Sequence, residues 1–206
     1  MLEINIMKKL IIWLEGILKI NRYIIYFLLF FLLTTQLYAN EKWILDKTLS
    51  SIEFELPVFL AKNVKGQFNE IEGLVELDLT NKVNNKAVFS IKTNNVDMNY
   101  IKYKDLLLSN IFFDSNQYPL AVVDTKKFSY SNEEELNLVV ELTIKGKSEM
   151  VPLKITVKRL AEELVQIKSE LIFSRNLFEI GIGKWSNTAI LKDHVKLKTN
   201  LFLFRE

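Results

Sequence analysis

Residues 104–119 read KDLLLSNIFFDSNQYP, an apolar stretch bounded by turn residues. Its apolar positions recur at spacings of one, three and four, which places Leu107, Leu108, Ile111 and Phe112 on one face of a short helix. The polar residues that begin at Asp114 break this pattern. The stretch therefore predicts one short helix, near residues 102–113, whose apolar face must pack against the rest of the chain.

Most of the remaining chain after residue 40 alternates apolar and polar residues, which is the pattern of half-buried β-strands. The apolar rows include Ile52, Phe54 and Leu56, then Val75, Leu77 and Leu79, then Ala87, Phe89 and Ile91, and finally Val195, Leu197, Leu201 and Leu203. About eight such strands, joined by short polar turns, predict an all-β fold. Closing one antiparallel sheet of eight strands removes its exposed edges, so we expect a single eight-stranded barrel with the helix near its mouth.

The first 39 residues differ from the rest. Lys19 and Arg22 precede an apolar run from Ile24 to Leu33, and small residues end the segment at Ala39. This order predicts a secretory signal peptide over residues 1–39 and a periplasmic domain over residues 40–206. A retained amino-terminal anchor is the alternative, although the run is shorter than the ~20 residues of a membrane-spanning helix.

Charge and composition exclude several classes of function. Residues 1–39 contain two more basic than acidic residues, which accounts for the whole formal net charge of +2. A neutral domain without a basic stripe is a poor partner for nucleic acid. The chain has no cysteine and only one histidine, His194. No zinc site built on several imidazoles or thiolates and no catalytic triad is expected, and no cofactor.

Five motifs, in order along residues 46–181, resemble the YceI-like family of exported, lipocalin-like barrels that bind polyisoprenoids. The motifs are D-K-T-L-S-S-I-E-F at 46–54, V-K-G-Q-F at 64–68 with Gly73, K-D with F-F-D and Y-P between 104 and 119, L-T-I-K-G at 142–146, and S-R with F-E-I-G between 174 and 181. The chain departs from the family pattern at Leu49, Val58 and Leu107, where relatives commonly have histidine, and Lys104 replaces arginine. Histidine contacts to a ligand head group are therefore not expected in this chain.

The resemblance implies that the inward apolar rows line a tunnel, whereas the periodicity alone fits a solid core equally well. The residues predicted to bind ligand are Phe54, Leu56, Phe68, Phe89, Lys104, Leu107, Ile111, Phe112, Phe173 and Arg175. Lys104 is expected either to reach a head group at the barrel mouth or to pair with an acid. Arg175 fits a structural ion pair or a contact with a carboxylate or phosphate.

These expectations favour a periplasmic carrier that sequesters a long apolar lipid, such as a polyisoprenoid or a polyprenyl quinone, and catalyses no reaction. Transient contact with the membrane and a homodimer are left open as partner interactions. Two alternatives remain. A small outer-membrane β-barrel would carry its apolar residues on the lipid side, and an enzyme acting on envelope lipids would need a poised acid, base or metal.

Overall fold

A computed structural model describes residues 13, 41–60, 62–78, 82–129 and 135–205. The predicted signal peptide lies outside the described residues, apart from Trp13, and stays a prediction. No helix among the described residues has the length and apolar character needed to cross a bilayer.

Alternating rows form eleven β-strands in the described part of the chain. They are β1 (Glu41–Leu45), β2 (Ser51–Leu56), β3 (Val64–Phe68), β4 (Ile71–Leu77), β5 (Asn85–Lys92), β6 (Val96–Met98), β7 (Leu120–Phe128), β8 (Glu135–Ile144), β9 (Lys147–Ala161), β10 (Leu164–Ser174) and β11 (His194–Arg205). Every pairing is antiparallel.

The eleven segments make an eight-stranded closed barrel because three of its strands are each interrupted once. β1 and β2 both pair with β11 and together form the first interrupted strand. β4 pairs with β1 and β3 pairs with β2, so these two form the second. β5 pairs with β4 and β6 pairs with β3, so these two form the third. β7 to β10 complete the ring back to β11. The prediction of an all-β, eight-stranded antiparallel barrel is confirmed.

Between β1 and β2, where the first interruption lies, hydrogen bonds to side chains take the place of the backbone hydrogen bonds between strands. Asp46 accepts the backbone N–H groups of Thr48 and Leu49 on its carboxylate, which turns the chain away from β11. Ser50 then accepts the Phe202 N–H on its hydroxyl at 2.9 Å, while the Asp46 N–H donates to the Phe202 carbonyl. The ladder is therefore satisfied across the gap, as buried backbone groups require.

Inward side chains pack one half of the barrel solidly. Six of them are at most 2% exposed: Trp43, Val75, Leu77, Val140, Val165 and Leu203. The inward row predicted for β5 is also buried, from Ala87 to Ile91. Because this half is filled, any internal space must lie at the other end.

Two segments cover that other end. The first cap segment, residues 100–115, contains a 3₁₀ turn (Ile101–Tyr103) and the α-helix α1 (Lys104–Leu108). The second cap segment, residues 176–191, begins inside the 3₁₀ turn Arg175–Phe178 and contains a further 3₁₀ turn, Gly183–Ser186. The Ile111 carbonyl joins the two segments because it accepts the N–H groups of Gly181 and Ile182.

The predicted helix is present, but its carboxyl end is wrong: α1 ends at Leu108 rather than near residue 113. Ser109 adopts an extended conformation, donates its hydroxyl to the Leu106 carbonyl and accepts the Ile111 N–H. Such side-chain bonds to the local backbone compete with helix continuation. The chain continues in tight turns that hold Phe112 and Phe113 against the barrel.

Candidate functional site: an apolar cavity at the capped end of the barrel

A cavity of about 330 Å³ lies between the capped end of the barrel and the two cap segments. That volume is at the lower end of the range of roughly 300–1,000 Å³ in which small-molecule sites are found. Its barrel walls are apolar side chains, among them Ile52, Val64, Ile91, Ala121, Val123, Leu142, Ile144, Val195 and Leu197. The barrel interior is therefore filled by side chains at one end and contains the cavity at the other.

The cavity opens to solvent beside the first cap segment. Among the described residues that line it, only Lys62, Lys102 and Tyr103 are exposed, and they define what we call the mouth. Lys62 lies in the loop between β2 and β3, and the other two lie in the 3₁₀ turn before α1. The loop and the turn are tied together because the Tyr100 hydroxyl donates to the Lys62 carbonyl and the Asn99 amide donates to the Asn63 carbonyl.

Six of the ten predicted ligand-binding residues line this cavity: Phe54, Leu56, Phe68, Leu107, Phe112 and Phe173. They come from β2, β3, β10 and the first cap segment. The structure thus brings distant parts of the sequence around one apolar space. Whether these side chains contact a ligand stays a prediction.

The other four predicted residues lie outside the lining. Phe89 is a core residue whose ring covers Gly73 on the neighbouring strand, so closely that a Cβ there would be 2.4 Å from the ring. Ile111 is half-buried in the first cap segment, and its carbonyl joins the two segments. Lys104 begins α1 without lining the cavity, and it makes no ion pair within 4.0 Å in the described part of the chain.

Arg175, the fourth of these residues, is fully buried behind the cavity wall. Its guanidinium donates to the carbonyls of Ile180 at 2.8 Å, Leu191 at 2.7 Å and Lys192 at 2.9 Å. Longer bonds reach the Gly181 carbonyl and the Asn176 side chain. Burial lowers the pKa of Arg175 and the nearby Asp193 carboxylate opposes that shift, but an arginine remains charged.

Arg175 therefore anchors the second cap segment through backbone carbonyls rather than through the ion pair considered from the sequence. Gly181 has a φ of +79°, and a Cβ there would lie 2.9 Å from the Arg175 guanidinium and 3.3 Å from the Phe112 ring. Glycine is needed at this position for both reasons. The arginine, the glycine and the aromatic ring are stacked at the junction of the two cap segments.

Several lining residues were not predicted from the sequence. Trp185 packs on Phe112 with ring centroids 5.9 Å apart, and Ile180, Leu191 and Tyr100 also face the cavity. These residues lie in turns and loops, where no periodicity marks the inward side. The sequence signal that could have pointed to this part of the lining is an aromatic residue, Trp185, among turn residues.

Val58 and Leu107 both line the cavity, whereas Leu49 is 54% exposed and does not. These are the three positions at which the resemblance leads one to expect histidine.

His194 is exposed at the start of β11. The described residues contain no group of three or more histidine, cysteine or carboxylate side chains that could hold a metal ion.

A family model for the YceI-like domain matches residues 43–203, well over half of the chain. The chain belongs to the YceI-like family. The match includes every strand that forms the barrel and both cap segments. No curated protein matches this YceI-like chain.

Solved structures share the fold of this YceI-like domain. BcnA of Burkholderia cenocepacia is 25% identical, with a TM-score of 0.71 over 77% of this chain and 98% of BcnA. A polyisoprenoid-binding domain from Saccharophagus degradans, implicated in plant cell wall breakdown, is 17% identical, with a TM-score of 0.65 over 81% of this chain and 99% of that domain. A YceI protein of Campylobacter jejuni is 21% identical, with a TM-score of 0.62 over 73% of this chain and 89% of that protein. At 17% and 21% identity the likeness shows the fold alone.

The role of Arg175 can be tested by Arg175→Met. This substitution removes the donor to four backbone carbonyls at the buried junction, so we expect the free energy of unfolding to fall by about 3 kcal/mol or more. Urea denaturation followed by tryptophan fluorescence measures the change. Arg159→Met is the matched control because Arg159 is exposed and also donates to backbone carbonyls. Unchanged stability together with weakened lipid binding would instead assign Arg175 to the ligand.

Proposed function

We propose that this YceI-like protein is a periplasmic carrier that sequesters the apolar tail of a long lipid, such as a polyisoprenoid or a polyprenyl quinone, and catalyses no reaction. The observation that carries the proposal is the cavity itself, which stays open beside a well-packed core and has almost entirely apolar walls. The shared fold of the polyisoprenoid-binding domain from Saccharophagus degradans supports the choice of ligand.

The energetics of burial support a tail without polar recognition inside the cavity. Each isoprene unit removed from water contributes on the order of 3 kcal/mol. A few units therefore offset the loss of translational and conformational freedom on binding and reach micromolar affinity or better. A site of about 330 Å³ suits a drug-sized molecule, so the cavity encloses one segment of a long chain rather than all of it.

The lining supports binding rather than catalysis. None of the lining residues that the structure describes is a histidine, a cysteine or a carboxylate, which are the commonest general acids, bases and metal ligands. An enzyme acting on envelope lipids would need such a group within reach of the substrate.

The distribution of polar residues supports a carrier over an outer-membrane barrel. The apolar rows face inward, and the outer wall carries ion pairs such as Lys196–Glu170 and Lys154–Glu135. A barrel embedded in lipid has the opposite arrangement, with an apolar outer band.

Filling the cavity tests the carrier proposal. Ala121 faces the cavity from β7, and Ala121→Phe places a ring in the space that a tail would occupy. We expect affinity for added polyprenol or quinone to fall by about tenfold or more, with stability unchanged or raised. Native mass spectrometry of protein purified without detergent measures lipid retention and uptake.

The matched control is Val122→Phe, since the next residue along a strand points to the outer face. It should leave lipid uptake unchanged. A wild-type protein that carries no lipid and takes up neither polyprenol nor quinone contradicts the carrier proposal.

Export to the periplasm follows from the predicted signal peptide. We expect the protein in the fraction released by osmotic shock, with an intact mass that corresponds to cleavage after Ala39. A protein that sediments with membranes at its full-length mass would favour the retained anchor. The same purified material tests the homodimer, because light scattering gives its mass in solution.

Transient contact with the membrane belongs to the proposal because an apolar ligand must be taken from and returned to a bilayer. Apolar side chains surround the mouth: Leu60 is 90% exposed, Ile101 is 79% exposed and Phe59 is 57% exposed. Exposed apolar groups of this kind, next to lysines, are typical of surfaces that lie on membrane interfaces. The capped end is therefore the side we expect to face the bilayer.

The double variant Leu60→Ser/Ile101→Ser tests this contact. We expect its binding to vesicles that contain anionic lipid to be weaker by about tenfold or more, because two apolar side chains no longer enter the interface. Co-sedimentation with vesicles measures the effect. Leu160→Ser changes an exposed leucine at the end of β9 and should bind as the wild type does. A change in the mass in solution, with vesicle binding intact, would show that these residues form a protein interface instead.

A further inference from the structure

The interior of the cavity offers a head group few hydrogen-bond donors. Apart from the indole N–H of Trp185, the polar groups of the described lining belong to Lys62, Thr93, Tyr100, Lys102 and Tyr103. The Thr93 hydroxyl, in a residue only 2% exposed, donates to the Tyr118 carbonyl at 3.1 Å. The Tyr100 hydroxyl donates to the Lys62 carbonyl at 3.2 Å. A polar head group buried beyond these residues would find one neutral indole donor at most, which is costly. The head group must therefore lie at the mouth.

The mouth presents two cations and no anion. Neither Lys62 nor Lys102 has a carboxylate within 4.0 Å of its ammonium group among the described residues. The Lys102 ammonium lies 5.0 Å from the centre of the Tyr103 ring, which leaves its hydrogen-bond donors open to solvent. Asp105 is the acidic residue nearest to Lys102 in the first cap segment, and it does not line the cavity.

Some lysines on the outer wall of the barrel pair with carboxylates, as Lys65 does with Glu55 at 3.5 Å. Others, such as Lys158 of β9 and Lys168 of β10, have no carboxylate within 4.0 Å of the ammonium group among the described residues. The two lysines at the mouth differ from both groups in position, because they are the charged residues of the described cavity lining. They are therefore placed to meet the head group of a lipid whose tail lies in the cavity.

We propose that the occupant of the cavity is an amphiphile with an anionic head group, a phosphate or a carboxylate, held at the mouth between Lys62 and Lys102. This inference rests on the proposed carrier function and adds the chemical class of the ligand. Lysine ammonium groups act as point charges without a fixed fork geometry. The site therefore selects for charge and accepts either anion, while the tail in the cavity supplies most of the affinity.

Both lysines are exposed, so the selection is moderate and depends on salt. We expect the protein to bind a polyprenyl monophosphate roughly tenfold more tightly than the polyprenol with the same tail at low ionic strength. The preference should shrink as the salt concentration rises. A fatty acid and its amide form a second matched pair of ligands and should show the same order.

The experiment measures dissociation constants for each matched pair with the full chain and with the double variant Lys62→Gln/Lys102→Gln. The variant should bind the phosphate and the alcohol equally, because the charge that separates the two ligands no longer has a partner. Lys184→Gln/Lys192→Gln is the control, because these lysines lie near the cap but do not line the cavity, and it should keep the preference. Inorganic phosphate alone should compete only weakly, since it has no tail.

Two results would overturn the inference. One is equal binding of phosphate and alcohol by the wild type, and the other is a preference that survives in the Lys62→Gln/Lys102→Gln variant. In both cases binding of the neutral lipid would leave the carrier function standing. If neither member of either pair binds, the carrier function itself fails and the inference fails with it.

Discussion

The capped end of the barrel depends on one buried cation. The Arg175 guanidinium donates to carbonyls at both ends of the second cap segment and next to β11. Gly181 rests against it, and the Gly181 N–H donates to the Ile111 carbonyl of the first cap segment. Arg175 therefore helps to position both segments without lining the cavity, and Lys145 adds a second link because its ammonium group donates to the carbonyls of Asn110 and Glu179. Carbonyl acceptors suit this role because they satisfy the donors of a buried arginine without a second buried charge.

The cavity remains open because large side chains lie against the barrel wall and not across its centre. The Phe54 ring covers Gly66 on the neighbouring strand, where a Cβ would be 2.5 Å from the ring, and Phe89 covers Gly73 in the same way. A glycine opposite an aromatic residue lets the ring lie flat on the sheet. At the packed end, Trp43, Leu77 and Leu203 are at most 1% exposed and line no part of the cavity. The same number of strands thus gives a solid core at one end and a cavity at the other.

The architecture was predictable from the sequence because a strand in a closed barrel has one buried face. The alternation places Ala87, Phe89 and Ile91 on that face, and the structure buries all three. The carboxyl end of the helix was not predictable from spacing, since Ser109 ends it through hydrogen bonds that apolar periodicity does not register. Arg175 was predicted as a ligand-binding residue. Its actual partners could not be predicted, because they are backbone carbonyls and the pattern of side chains in the sequence does not identify them.

The mouth was missed for a related reason. Lys62 and Lys102 are 40 positions apart, and their segments are brought together by tertiary contacts, namely the pairing of β3 with β6 and the hydrogen bonds from Asn99 and Tyr100 to the loop that contains Lys62. Nothing in the local sequence distinguishes them from the paired lysines of the wall.

A carrier that binds the apolar tail in the cavity and the head group at the mouth uses two separate interactions, and their separation has a physical consequence. A tail held only by apolar contacts can slide along the cavity, because no directional bond fixes its register. A charge interaction inside the apolar space would be strong but would require the head group to lose its water. Placed at an exposed mouth, the lysines keep that desolvation small, so they discriminate between head groups without preventing release. In the proposed carrier, affinity and selectivity are thus set by different residues, with Phe112 and its neighbours acting on the tail and Lys62 and Lys102 acting on the head group.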